Sequence, residues 1–186
     1  MKERKTIYNL ALTGILATLI TLFTAYFVHI PVGANGGYVH FGDTVIYIAA
    51  AILPAPYALA AGAIGGGMAD LLTAPAWTLA TVIIKMLIVL PFTSAHSRIL
   101  CKRNLAAPFI SFLISGIGYY IAEAILFGTA AAFFVSLSGS VVQSLGSAVF
   151  FFLLGGALDR IKIKNLLYSD KETVRNQTNK LAKEER

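Results

Sequence analysis

The sequence predicts an all-α membrane protein: a compact bundle of six transmembrane helices with the N- and C-termini on the cytoplasmic side. Three observations predict it. The 186 residues are 57% hydrophobic, with a mean hydropathy of +0.74. The core of one small globule cannot absorb that apolar excess, so the surplus faces lipid. The apolar residues fall into runs near the roughly 20 residues that cross a hydrocarbon layer of about 30 Å. Of the 15 Lys and Arg, all but Lys85 fall in segments that alternate to one side, which is the positive-inside pattern.

The elements follow in order. Helix 1 is expected over Ile7–His29. It is long enough to span, and no Ala-x-Ala site closes it, so it reads as a membrane helix and not as a cleaved leader. Pro31–Tyr38 is a Pro/Gly-rich loop. Helix 2, Phe41–Leu53, is short and ends at Pro54-Ala55-Pro56, because two prolines cannot continue a helix. Helix 3 covers Tyr57–Leu72, and Thr73–Ala76 is a turn. Helix 4 covers Trp77–Ile99, helix 5 Ala106–Phe127, and helix 6 about Val135–Leu158. Helices 2 and 3 also fit a single re-entrant hairpin, since both are near the lower limit for spanning. Residues 1–160 form the six-helix domain, and residues 161–186 form a charged cytoplasmic tail, frayed or lying on the surface as helix.

Alternation places the N-terminus, the Pro54 turn, Arg98–Asn104 and the tail inside. The Pro31–Tyr38 loop, the Thr73–Ala76 turn and Gly128–Phe134 fall outside. The net charge of +6 therefore reports topology and implies no nucleic-acid partner. The single cysteine, Cys101, excludes an intrachain disulfide. No internal repeat is visible, which weighs against an inverted-repeat transporter.

Small residues recur at helical spacing. Ala58, Gly62, Gly66 and Asp70 form one stripe, and Thr13, Ala17, Thr21 and Ala25 form another. Such stripes let helices approach closely inside a bilayer. The helix 1 stripe fits internal packing and docking onto another membrane subunit equally well.

Ionisable groups at membrane depth are costly and become functional candidates. There are four: Asp43, Asp70, Lys85 and Glu123. At about 1.5 Å per residue, all four fall in the outer half of the membrane. His40, Trp77, Tyr119, Gln143 and Ser147 share that depth, and Tyr119 and Glu123 share a helix face. Together these groups fit an outward-opening cavity for a small, flat, polar heterocycle. Each also has a plainer reading. Asp43 caps helix 2, and Asp70 bonds backbone at a helix end. Lys85 and Glu123 pair with each other instead of with a ligand. Trp77 and Tyr119 are interfacial aromatics, and His40 is structural.

Enzyme signatures are missing. Gly62-Ala-Ile-Gly-Gly-Gly-Met-Ala lacks the Gly-Lys-Ser/Thr ending of a phosphate loop. Neither His-Glu-x-x-His nor Gly-x-Ser-x-Gly occurs. His29, His40 and His96 fall on different sides, so no metal site is expected from them. No cofactor and no catalytic residue are assigned.

The stretch Gly37–Leu72 carries a family resemblance. Gly-Tyr-Val-His-Phe-Gly-Asp, the proline turn and Ala-Gly-Ala-Ile-Gly-Gly-Gly-Met-Ala-Asp-Leu-Leu resemble the S components of energy-coupling factor (ECF) vitamin transporters, nearest their riboflavin/hydroxymethylpyrimidine-like branch. The resemblance implies a high-affinity capture subunit in a bacterial or archaeal plasma membrane. It also implies a membrane coupling subunit and two cytoplasmic ATPases as partners, and tilting of the subunit to release substrate. It places the ligand against Tyr38, Trp77, Lys85, Tyr119, Glu123 and Gln143, with His40 beside them. Family members often dock through Ala-x-x-x-Ala in helix 1. This chain offers Thr13/Ala17 or Gly14/Thr18 there instead.

The alternatives are a stand-alone secondary transporter or channel, a membrane enzyme using Glu123 and Lys85 as acid and base, and a structural subunit without ligand. The candidate ligands are a pyrimidine thiamin precursor, a pyridoxine-type vitamin, riboflavin and a queuosine precursor. Glu123, Lys85 and the aromatics favour a small amine-bearing ring.

Overall fold

The protein was analysed as a computed structural model, which describes residues 2–27, 30–32, 37–128 and 132–168. The first apolar run forms α1 (Lys2–Ala25). It takes in the basic N-terminal residues and ends before His29, which lies outside the described residues. The expected Pro/Gly loop holds an antiparallel pair, β1 (Ile30–Val32) and β2 (Gly37–Val39). Their register is Ile30 opposite Val39, Pro31 opposite Tyr38 and Val32 opposite Gly37. Both strands of a two-stranded ladder are edges, and an edge tolerates the N–H that Pro31 lacks.

Two helices follow on either side of Pro54, α2 (Gly42–Ile52) and α3 (Ala55–Thr73). Every residue of α2 except Val45 is buried. Protein and not lipid surrounds this helix, so its length need not match the bilayer. Polar groups satisfy its C-terminal end. Lys164 Nζ donates to Ala51 O at 2.9 Å, and the Tyr168 hydroxyl donates to Ile52 O at 3.1 Å.

A 3-10 turn, Pro75–Trp77, leads into α4 (Thr78–Leu87). This corrects the expectation that helix 4 runs on to Ile99. Pro91 has no N–H to give residue 87, and its ring crowds that carbonyl. The carbonyls beyond the break find side chains instead. Ser111 donates to Ile88 O at 2.9 Å. Arg103 donates to Leu90 O at 3.0 Å and Pro91 O at 2.7 Å. The Asn104 amide donates to Thr93 O at 2.9 Å and Ile99 O at 2.8 Å. Residues 88–101 are thus a pinned, non-helical segment whose apolar composition reads as helix.

The same contacts explain why α5 (Lys102–Phe127) starts before Ala106. Asn104 is fully buried and clasped, so the polar start is drawn into the helix. Then α6 (Ala132–Arg160) completes the bundle. Asp159 near its end accepts the backbone N–H groups of Ile99 at 2.6 Å and Leu100 at 2.9 Å. Lys162, with a φ of 52°, turns the chain into α7, residues 163–168. The first part of the charged tail is therefore a helix lying on the bundle's surface, with Lys164 turned inward. Lys164 Nζ donates also to Ser94 O at 2.8 Å and His96 O at 2.5 Å. Residues 169–186 lie outside the described residues.

Neighbouring helices follow the order α1, α3, α4, α5, α6, α2, with α2 touching α1 and α3 as well. Among the described residues three helices are long and apolar enough to cross a membrane: Lys5–Ala25, Lys102–Phe127 and Val141–Arg160. Their outer faces carry exposed apolar side chains, among them Leu10, Ile15, Leu113, Ile117, Leu145 and Leu153. Polar groups turn inward, the arrangement lipid demands. One end of the bundle gathers the start of α1, the Pro54 turn, residues 94–97 and α7; Tyr8 and Tyr168 meet there edge-on at 6.2 Å.

Candidate functional site

The site is built from one-turn repeats on separate helices. Trp77, at the entry to α4, and Thr81 and Lys85 within it recur every fourth residue and so share a face. Trp77 is largely buried, and Thr81 and Lys85 are fully buried. On α5, Tyr119 and Glu123 repeat the spacing; Glu123 is buried and Tyr119 partly so. Asp43 is supplied by the start of α2 and Gln143 by α6. Asp70 comes from the far end of α3.

Asp43 and Lys85 form an ion pair with Nζ to Oδ1 at 2.6 Å, and both side chains have 0% exposure. The other carboxylate oxygen of Asp43 accepts the Gln143 amide N–H at 2.7 Å. Two expectations are corrected by this. Asp43 does not cap α2, whose start carries no side-chain cap. Lys85 pairs with Asp43 and not with Glu123. The reason is geometric. The first turn of α2 and the last turn of α4 meet across the bundle, a meeting that hydropathy cannot show. The lysine stem reaches Asp43 along α3, where a Cβ at Gly66 would lie 2.7 Å from Lys85 Cγ.

A second chain of polar groups runs beside the first. The Thr81 hydroxyl donates to the Asp70 carboxylate. Thr81 Oγ1 also lies 3.1 Å from the Tyr119 hydroxyl. Asp70, expected to serve backbone at a helix end, thus receives a side-chain donor from α4. Lys85 Nζ sits 5.4 Å from the centre of the Tyr119 ring. That ring meets Trp77 edge-on at 6.0 Å, and Trp77 leans on Phe127 at 5.5 Å.

His40 is buried, and its Nδ1 accepts the Gly42 N–H at 2.9 Å. This bond orders the entry to α2. The Tyr38 side chain lies outside the described residues. Thr81 and Thr44 were not singled out by sequence. Thr44 donates to Ser147 O at 3.2 Å, tying α2 to α6. The readable signal for Thr81 was its place midway between Trp77 and Lys85.

The small-residue stripes separate. Thr13 and Ala17 are buried. A Cβ on Gly65 would lie 2.8 Å from Ala17 O, so this face is spent against α3. Gly14 and Thr18 are exposed on the adjacent face, with nothing within 4 Å of a Cβ built on Gly14.

Among the described residues no cluster of His, Cys, Asp and Glu fits a metal ion. A helical bundle with apolar outer faces and a sequestered polar network near one end defines a membrane-embedded binding protein. The comparisons with known proteins make that class specific. The sequence profile described as ECF-type riboflavin transporter, S component, matches residues 4–160. The chain belongs to this ECF S-component family. It is a substrate-binding subunit of an ECF vitamin transporter and not an enzyme. It is also 30% identical over 149 residues to an "uncharacterized protein in gap 3'region" of Pyrococcus woesei, a match covering 77% of this chain and 94% of that protein.

Proposed function

We propose that this chain captures a small, flat, polar heterocyclic vitamin or precursor from outside the cell and delivers it to an ATP-driven ECF importer. In this reading six helices span the plasma membrane, with both ends in the cytoplasm. Trp77, Tyr119, Glu123 and Gln143 line the ligand site, and Tyr38 and His40 are assigned to it from the sequence. Lys85 and Asp43 form its floor. A membrane coupling subunit and two cytoplasmic ATPases supply the energy, since no nucleotide cradle occurs in this sequence. The open Gly14/Thr18 face of α1 is the docking face, because Thr13 and Ala17 already serve α3.

One observation carries the reading. Asp43, Lys85, Thr81, Tyr119 and Gln143 converge from four helices in a chain whose apolar side chains face outward. Desolvating so many polar groups costs several kcal/mol, and such groups in membranes mark ligand and ion sites. Mass spectrometry of the compound that co-purifies with the protein tests it. A stoichiometric heterocycle is expected. Uptake driven by an ion gradient without ATPase partners would overturn the reading. Glu123→Gln is expected to weaken binding of that compound about tenfold or more, since it removes one charge-assisted contact; unchanged affinity would exclude Glu123 from the site.

A further inference from the structure

At the other end of α2 from Asp43 the structure holds a cavity of about 430 Å³. Pro54, Ser94, His96, Ser97, Lys164 and Asn165 are among the residues that line it. Its wall carries a cation without an anion. Lys164 is 6% exposed, and its ammonium donates to the carbonyls of Ala51, Ser94 and His96. Carbonyl oxygens satisfy its N–H groups and leave the charge unbalanced. Among the described residues no carboxylate pairs with Lys164. Asp159 spends both of its oxygens on the N–H groups of Ile99 and Leu100.

The bent segment beside Lys164 adds donors. Among the described residues the backbone N–H groups of His96, Ser97 and Arg98 meet no acceptor. Successive free N–H groups in a bend make a concavity that takes anions. The Ser94 and Ser97 hydroxyls and the Asn165 amide belong to residues of the same cavity wall. A phosphate, with full charge and several acceptor oxygens, answers all of these groups at once.

The surroundings make that phosphate a lipid's. Close by in the chain, Arg98, Arg160 and Lys162 are exposed. Ile161 and Leu166 stand among these cations at 57% and 65% exposure. A soluble anion gains nothing from such apolar surface, whereas a phospholipid brings acyl chain and headgroup side by side. Basic pockets at the ends of membrane helices take acidic headgroups for this reason.

We propose that this cavity seats the phosphate headgroup of an anionic phospholipid, and that the bound lipid closes the clasp between α2, residues 94–97 and α7. The orientation proposed above puts that lipid in the cytoplasmic leaflet. The inference is independent of which vitamin the chain captures.

The test uses the full chain in nonionic detergent, titrated with short-chain phosphatidylglycerol or phosphatidylcholine and read by native mass spectrometry. One phosphatidylglycerol is expected to bind at least about tenfold tighter than phosphatidylcholine. Substituting Lys164 also breaks the clasp, so Ser97→Asp is the decisive variant. It sets a carboxylate in the cavity, at an exposed position, against the phosphate. Phosphatidylglycerol affinity is expected to fall about tenfold or more, with the melting temperature near wild type. Ala106→Asp is the control. It adds the same charge at an exposed position near the start of α5, outside the cavity. Its affinity is expected to stay within about twofold of wild type, because a distant exposed charge is screened.

Equal affinity for the two lipids overturns the inference. An equal loss in the two variants also overturns it, since that reports diffuse positive charge and no site. Glycerol 1-phosphate that displaces the lipid at equal concentration gives the cavity to a soluble phosphate and overturns the lipid assignment. Unchanged lipid binding in Ser97→Asp overturns it as well; if capture by the coupling subunit is then lost, the cavity belongs to an acidic segment of that partner. None of these outcomes touches the capture reading, which stands or falls on the compound that co-purifies.

Discussion

At the scale of single residues, the cost of unpaired charge governs the site. Asp43 and Lys85 neutralise each other where neither reaches solvent. Removing one partner strands the other, at a typical cost of about 3–5 kcal/mol, whereas replacing both by apolar groups of similar volume is often neutral. Lys85→Met and Asp43→Leu are each expected to lower the melting temperature in detergent sharply. The double variant is expected to recover much of the loss. Additive losses in thermal unfolding would show that the two side chains are not coupled. Sequence reasoning had marked both residues, because charge at membrane depth stands out in any apolar run. Their pairing was invisible to it. A Lys85–Glu123 pair was one reading the sequence allowed, yet the long Lys85 side chain reaches Asp43 across the bundle.

At the scale of elements, two features depend on close fit. The first is the α1–α3 contact. A Cβ on Gly65 would stand 2.6 Å from Ile20 Cβ and 2.8 Å from Ala17 O. Gly65→Leu must therefore push the helices apart, and overpacking of this kind costs about 1–3 kcal/mol or more. Thermal unfolding of the purified variant checks this. The second feature is the clasp made by α7. Lys164 joins the end of α2 to residues 94–96 through three carbonyls. Lys164→Met leaves these acceptors without their charged donor. Bonds to charged groups contribute about 1.5–3 kcal/mol each, though a shared donor does not add them in full. The variant is expected to lose stability and to expose residues 88–101 to protease. Wild-type cleavage and melting would show that the clasp carries no load. Hydropathy gave no sign of this clasp, because a lysine beyond the last apolar run looks like any solvated tail residue. It missed the end of α4 for a related reason. Residues 88–100 are apolar enough to be helix, and only Pro91 and the side chains of Arg103, Asn104 and Ser111 make an unwound path affordable.

At the scale of the whole molecule, the proposed docking face is a break in an otherwise apolar outer surface. Much of the outward face of α1, α5 and α6 carries large apolar side chains, whereas Gly14 and Thr18 leave a shallow stretch on α1. Small residues are where a second membrane subunit approaches most closely. Gly14→Leu is therefore expected to leave the melting temperature and ligand binding near wild type while abolishing capture by the coupling subunit in a pull-down. Thr13→Leu is expected to act in the opposite sense, destabilising the fold because Thr13 is buried. A Gly14→Leu protein that still assembles would move the docking face elsewhere.

The sequence by itself determined that this chain is membrane-embedded and which polar residues are too costly to be there by accident. Those properties follow from transfer energies, which act on each residue separately and so survive in a linear string. Only the tertiary structure decided which costly groups answer one another, where the fourth helix stops, and which face of the first helix remains free. Those outcomes depend on distances between residues far apart in the chain, such as Asp43 with Lys85 and Gln143, and on side chains that satisfy a backbone they are not next to.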